Sequence, residues 1–161
     1  MSLFDEAFAF VQKWEGGGKL HKVKGDPGGL TKYGISQRAY PDLDIAALTL
    51  DQARAIYLKD YWRRISADQV PPWLSIAVFD SAVNQGPSRA LRWMQKAAGT
   101  TADGIVGPHT LKMAWETPPR RALTSFMARR ALAYAAGLLL FRLGWMRRLI
   151  DCTIQAAKQL P

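Results

Sequence analysis

The segment from Trp73 to Gln85, WLSIAVFDSAVNQ, constrains the fold most strongly, because its residues are apolar on nearly every side of a helix. Such a helix has to be surrounded by other elements, so it is predicted to be the central helix of a core. Proline and glycine pairs on either side, 71–72 and 86–87, are predicted to mark its ends. The remaining chain has further helical patterns and no sustained strand pattern. We therefore predict an all-α fold with at most a small β-hairpin.

The N-terminal segment has the pattern of an amphipathic helix that begins with a capping box. Ser2 and Asp5 have the S-x-x-D spacing, and apolar residues recur from Phe4 to Val11 at three- and four-residue steps. Glu15 continues this apolar stripe. Three glycines, 16–18, follow it directly and are predicted to end the helix. A second box at Thr49 and Gln52 predicts another helix start.

The position of Glu15 suits a general acid. A carboxyl group on the apolar face of a helix is partly desolvated, and it also lies at the negative end of the helix dipole. Both features favour the protonated form that donates a proton. The glycines after Glu15 then allow a bulky substrate to approach the carboxyl group. The alternative is a frayed helix end whose side chain points into water.

The loop after the glycines contains polar side chains that a turn would return toward Glu15. Asp26, Thr31 and Tyr33 lie in GDPGGLTKYGIS, residues 25–36, where a small hairpin is predicted. Glycoside hydrolysis needs an acid and a second polar group that stabilises the sugar cation or positions a water. Asp26 suits the second role and Thr31 suits holding the water. Both are also common turn and loop residues, and that alternative stays open.

The polar residues of the central helix include Asp80, Asn84 and Gln85, and Asp80 and Asn84 are four positions apart on one face. Polar groups in so apolar a helix need hydrogen-bond partners. Buried structural hydrogen bonding is therefore one interpretation of them. Downstream, DGIVG at residues 103–107 is typical of a turn, and it either binds ligand or links two helices.

The charge balance predicts an anionic partner. The 161 residues include 22 Lys and Arg against 13 Asp and Glu, for a net charge of +9. This fits an acidic polymer, a lipid surface or nucleic acid. Nucleic acid is the less favoured partner because no zinc-ligand spacing or RNA-binding signature accompanies the basic residues. His21 and His109 are isolated from other ligand types, so no metal site is predicted.

Three further features bear on where the protein works. The single cysteine, Cys152, excludes an intramolecular disulfide, and MSLFDEAFAF lacks the basic start of a secretory signal. The longest apolar run, residues 131–141, is shorter than the roughly 20 residues of a membrane-spanning helix. We therefore expect a cytoplasmic protein without a signal peptide or a transmembrane segment.

Several stretches together resemble a known family. KWEGG, DPGGLTKYGIS, YLKDYWRRI and VFDSAVNQGPSRALRWMQ are similar to glycoside hydrolase family 108 lysozymes of phages and prophages. ADGIVGPHTL and FRLGWMRRLID resemble the peptidoglycan-binding segment that accompanies this catalytic region. The stretches cover most of the chain and occur in order, which makes their combination more specific than any single motif.

The resemblance implies a lysozyme-like helical fold, with a glycoside hydrolase region at residues 1–88 and a peptidoglycan-binding-like helical region at residues 89–161 on the same core. It implies an N-acetylmuramidase that cleaves between N-acetylmuramic acid and N-acetylglucosamine, with Glu15 as the acid and with Asp26 and Thr31 completing a catalytic trio. It also implies substrate-binding roles, assigned to Tyr33, Asp80, Asn84 and Gln85. No cofactor is implied.

The expected biology is that of an endolysin. The enzyme would be stored in the host cytoplasm, released to the wall by a holin-type protein, and act as a monomer on peptidoglycan and anionic wall or outer-membrane polymers. A lytic transglycosylase also relies on one glutamate and remains an alternative. A non-catalytic wall-binding protein is another, although its hallmark would be loss of the acid at position 15, which this chain retains.

Overall fold

The computed structural model describes residues 1–22, 29–136 and 142–161. Its contacts divide the chain into two compact units, Met1–Asp60 and Tyr61–Pro161. The structure is mostly helical, with a small three-stranded antiparallel sheet, so the expected fold class is confirmed. None of the described helices is both long enough and apolar enough to span a membrane.

The first unit consists of two helices and the sheet. Helix α1 is Leu3–Trp14, strands β1, β2 and β3 are His21–Lys22, Leu30–Lys32 and Ile35–Ser36, and helix α2 is Leu50–Tyr57. The strands follow one another in the order β1-β2-β3, with Thr31 opposite both His21 and Ser36. The predicted hairpin is therefore part of a three-stranded sheet.

Both predicted capping boxes are formed. The Ser2 hydroxyl accepts the Asp5 N–H and the Asp5 carboxylate accepts the Ser2 N–H, while Thr49 and Gln52 make the same exchange at α2. Asp5 also reaches α2, because Arg54 Nη2 lies 2.5 Å from its carboxylate. The Arg54 hydrogen bond holds the pKa of Asp5 well below its usual value. Capping and cross-helix pairing thus use the same carboxylate.

The second unit is a bundle built around one buried helix. A π-helical segment, Leu58–Arg63, leads into it, and its helices are α3 Pro72–Gln85, α4 Pro87–Ala98, α5 Pro108–Glu116, α6 Pro119–Ala135 and α7 Arg142–Ala157. Every residue of α3 from Trp73 to Ala82 is buried, and α3 packs against α4, α6 and α7. The all-round apolar pattern therefore marked the central helix of this unit. The boundary implied between residues 88 and 89 falls inside α4, whereas the contacts divide the chain after Asp60.

The DGIVG turn is fastened to α4 by one buried amide. Gln95 Nε2 donates to Asp103 Oδ1 at 2.7 Å and to the Ile105 carbonyl at 2.9 Å, and Gln95 Oε1 accepts the Gly104 N–H at 2.7 Å. These bonds hold Asp103, Gly104 and Ile105 against α4. The contacts therefore favour the interpretation of this turn as a link between α4 and α5.

Candidate active site around Glu15

Glu15 is the C-cap residue of α1 and its side chain is half-buried. Its N–H completes the helix by donating to the Val11 carbonyl at 2.9 Å, and the backbone then leaves helical geometry. Gly16 and Gly17 have φ values of +78° and +59°, which turn the chain away from the helix axis. The carboxyl-bearing side chain therefore lies at the end of the helix, as its place in the sequence predicted.

The β2–β3 turn approaches the Glu15 side chain closely. A Cβ added to Gly34 would lie 2.9 Å from Glu15 Cγ and would also collide with the Tyr57 hydroxyl. Only a glycine leaves room for both neighbours, and its φ of +77° is the left-handed conformation that favours glycine. The turn therefore forms a backbone wall against which the acid side chain rests.

Two side chains hold this turn through the carbonyl of Tyr33. Tyr57 Oη donates to it at 2.9 Å and Gln12 Nε2 donates to it at 3.2 Å. Tyr33 itself has a φ of +54°, a strained value for a non-glycine residue, and its N–H donates to the Gly17 carbonyl at 3.0 Å. Gln12 and Tyr57 thus act as positioning residues. Gln12 lies one helical turn before Glu15, which was the available sequence signal for it.

Two of the three glycines after Glu15, Gly16 and Gly18, are closely packed against other side chains of the protein. A Cβ on Gly18 would lie 2.9 Å from the Tyr33 hydroxyl, and one on Gly16 would lie 3.2 Å from Nε2 of His21. Tyr33 therefore lies across the glycine segment, next to the turn that contacts Glu15. The expectation that all three glycines clear space for a substrate applies only to Gly17, where a Cβ would meet nothing within 4 Å.

The two other members of the predicted trio have different outcomes. Thr31 is the middle residue of β2 and is half-buried, two positions before Tyr33. Asp26 lies outside the described residues. The roles assigned to both remain predictions.

Replacing Gly34 with Ala is expected to displace the Glu15 side chain. If Glu15 has the predicted role of acid, activity should fall by about 10- to 100-fold, because misplacing a reacting group by about 1 Å has costs of this order. The matched control is Gly99→Ala at the end of α4 in the second unit, which has a similar φ of +73° but an unobstructed Cβ. Both variants are compared by wall turbidity and by thermal melting. Equal losses of activity in the two variants would mean that backbone strain, and not contact with Glu15, causes the effect.

Asp80 belongs to the second unit, where it is fully buried in an ion-pair network. Its Oδ1 accepts hydrogen bonds from Arg148 Nε and Nη2 at 2.9 and 2.6 Å, and its Oδ2 lies 2.5 Å from Arg130 Nη2. Burial alone would lower the pKa of Arg130, but the Asp80 carboxylate together with Cys152 and Tyr134 raises that pKa. Of the two interpretations of Asp80, this geometry favours structural hydrogen bonding over contact with substrate.

In contrast to the buried Asp80, Asn84 and Gln85 lie at the accessible C-terminal end of α3. Asn84 is exposed and Gln85 is half-buried, and both line a pocket of about 400 Å³. Arg89, Ala133, Tyr134 and Trp145 complete its lining. These two amides are therefore placed where a ligand can reach them, and their predicted substrate-binding role remains to be tested.

Comparison with known proteins agrees with the sequence motifs. The model of the family described as Glycosyl hydrolase 108 matches residues 8–86, a range that includes Glu15, Thr31 and Gln85. Among solved structures, SagA of Brucella abortus is similar to the chain at 30% sequence identity and a TM-score of 0.83. That likeness covers 96% of this chain and 94% of SagA. No curated protein sequence matches the chain.

The family match contains the helix-end glutamate and the turn that rests on it, and the likeness to SagA extends through the helices beyond the matched region. The chain belongs to the glycosyl hydrolase 108 family, which at the level of the family implies a peptidoglycan-hydrolysing activity.

Proposed function

We propose that the protein is an N-acetylmuramidase that hydrolyses the bond between N-acetylmuramic acid and N-acetylglucosamine, with Glu15 as the general acid. The observation that carries this proposal is the placement of Glu15. It is a half-buried carboxyl group at a helix end, and the Tyr33–Gly34 turn, itself fixed by two hydrogen bonds, rests against its side chain. A catalytic acid needs a fixed position of this kind relative to the leaving oxygen.

The proposed reaction needs one proton donor and one attacking water. Glu15 gives its proton to the glycosidic oxygen as the bond to the anomeric carbon breaks, and a water forms the new bond to that carbon. The water's proton leaves to a carboxylate, and Asp26 or the ionised Glu15 is suited to accept it. Thr31, half-buried in β2, is proposed to hold the water.

The test is a mass spectrum of the fragments that the purified protein releases from peptidoglycan. Attack by water gives free reducing-end muramic acid, and we expect this product. Predominantly 1,6-anhydromuramic products would mean that the sugar's own 6-hydroxyl attacks, as in a lytic transglycosylase. Release of no fragments at all would leave a wall-binding protein without catalysis.

We further propose that the protein serves as an endolysin, held in the host cytoplasm until a holin-type protein releases it to the wall. Support comes from the single cysteine, Cys152, because a chain that forms no internal disulfide can fold and be stored in a reducing compartment. The net charge of +9 suits contact with anionic wall or outer-membrane polymers. We propose that the protein is active as a monomer and needs no cofactor.

A further inference from the structure

The pocket at the C-terminal end of α3 is polar on one wall and aromatic on the other. Asn84, Gln85 and Arg89 provide the polar groups. Tyr134 and Trp145 provide the aromatic wall, with ring centroids 5.4 Å apart and planes inclined by 20°. A volume of about 400 Å³ with a few converging polar groups is typical of a small-ligand site.

A chain of hydrogen bonds fixes which atoms these polar groups present. Arg130 can only donate, so its bond of 2.8 Å to the Tyr134 oxygen uses that oxygen as an acceptor. The Tyr134 hydroxyl proton is then free to donate, and its partner at 2.8 Å has to be Oδ1 of Asn84. The amide nitrogen of Asn84 is therefore the end that is left for the pocket.

The same reasoning orients Gln85. Asn84 Oδ1 is an acceptor, so the Gln85 atom 2.6 Å from it is the donor Nε2. Gln85 Oε1 is the other end of this amide, a solvent-inaccessible oxygen without a hydrogen-bond partner among the described residues. A ligand in the pocket cannot reach this oxygen, so Gln85 acts here by holding Asn84 Oδ1 in place.

The Asp80 network keeps this arrangement in place. Arg130 is fully buried and is anchored by Asp80, so its charge polarises the Tyr134 hydroxyl and strengthens the donors further along the chain. Burial raises the pKa of Tyr134, which keeps its hydroxyl protonated and able to donate. The pocket therefore presents the amide donor of Asn84 together with the Arg89 cation.

We propose that this pocket binds an amide carbonyl flanked by a carboxylate, as found in the stem peptide attached to muramic acid. The ligand carbonyl accepts from Asn84 Nδ2, and the carboxylate pairs with Arg89. The assignment to a stem peptide rests on the proposed action on peptidoglycan. The pocket would then bind the peptide part of peptidoglycan rather than the glycan.

The test is calorimetric titration of the full chain with N-acetyl-L-alanyl-D-glutamate, which has the amide and carboxylates but no sugar. Chitotetraose, which has secondary amides but no charge, is the second ligand. We expect the peptide to bind and chitotetraose to bind at least about 10-fold more weakly to this pocket, because hydrogen bonds to charged groups are the stronger ones. Similar affinity for the two ligands would overturn the proposal.

Three variants locate the site. Asn84→Asp replaces the donor by a negative acceptor of the same shape, and Arg89→Gln removes the cation; each is expected to weaken peptide binding about 10-fold or more. Arg92→Gln is the control, because it makes the same charge change on α4 at an exposed position outside the pocket. Unchanged affinity in both pocket variants, with normal melting, would overturn the proposal. The titration needs no bond cleavage, so loss of wall hydrolysis with retained peptide binding would count against the proposed function alone.

Discussion

Replacing Glu15 with Gln is expected to lower the rate of peptidoglycan solubilisation by about 10²- to 10⁴-fold, the range that general acid catalysis contributes. The amide has nearly the same shape as the carboxyl group but has no proton to give to the leaving oxygen. Turbidity loss of purified cell walls measures the rate. Thermal melting of the same samples establishes that α1 and its turn remain folded.

The control for this substitution is Glu116→Gln, which makes the same chemical change at an exposed residue. The only described ion pair of Glu116 is with Lys112, whose Nζ lies 3.7 Å from Glu116 Oε1. Its activity should match that of the unmodified chain, since exposed pairs contribute little. If Glu15→Gln folded normally and kept more than about a tenth of the activity, Glu15 would not be the acid.

Asp80→Asn is expected to reduce the free energy of unfolding by about 3–5 kcal/mol, the usual result of removing one partner of a buried ion pair. The side chain of Asp80 is completely buried, and Arg130 and Arg148 both depend on its charge. Asparagine keeps the shape but leaves two buried guanidinium groups facing a neutral amide. Urea denaturation followed by circular dichroism gives the difference directly.

Asp42→Asn is the matched control, because Asp42 is exposed in the loop after β3 and its replacement should change stability by less than about 0.5 kcal/mol. A loss of less than about 1 kcal/mol in Asp80→Asn would mean that water reaches the two arginines and replaces the carboxylate.

Local chemistry explains which parts of the fold were predictable. The capping boxes at Ser2 and Thr49 involve residues three positions apart, so their spacing alone predicted where α1 and α2 begin. The apolar pattern of α3 was equally local, since a helix apolar on all sides has to be buried. The position of Glu15 at the end of α1 was predictable because its place in the apolar stripe and the glycines after it are adjacent in sequence.

Contacts between distant residues explain the rest. Gly34 had no visible reason to be glycine, because the atoms that exclude its side chain belong to Glu15 and Tyr57, which are 19 and 23 positions away. Asp80 was predicted to need partners, but no spacing rule identifies arginines that follow it by 50 and 68 residues. The polarity of the Asn84 amide was hidden for the same reason, as it follows from Arg130 through Tyr134.

The separation between Asp80 and Arg148 has a consequence for the order in which the second unit folds. The ribosome synthesises α3 before the other helices of this unit. Another 68 residues must be added after Asp80 before its last hydrogen-bond partner, Arg148, has been synthesised. During that interval the most apolar helix of the unit contains an acid without its full set of partners. Pairing across so long a loop is slow relative to local helix formation. We therefore expect α7 to be the last helix to pack onto the bundle. Once α7 has packed, the unit should unfold much more slowly than the incomplete bundle does.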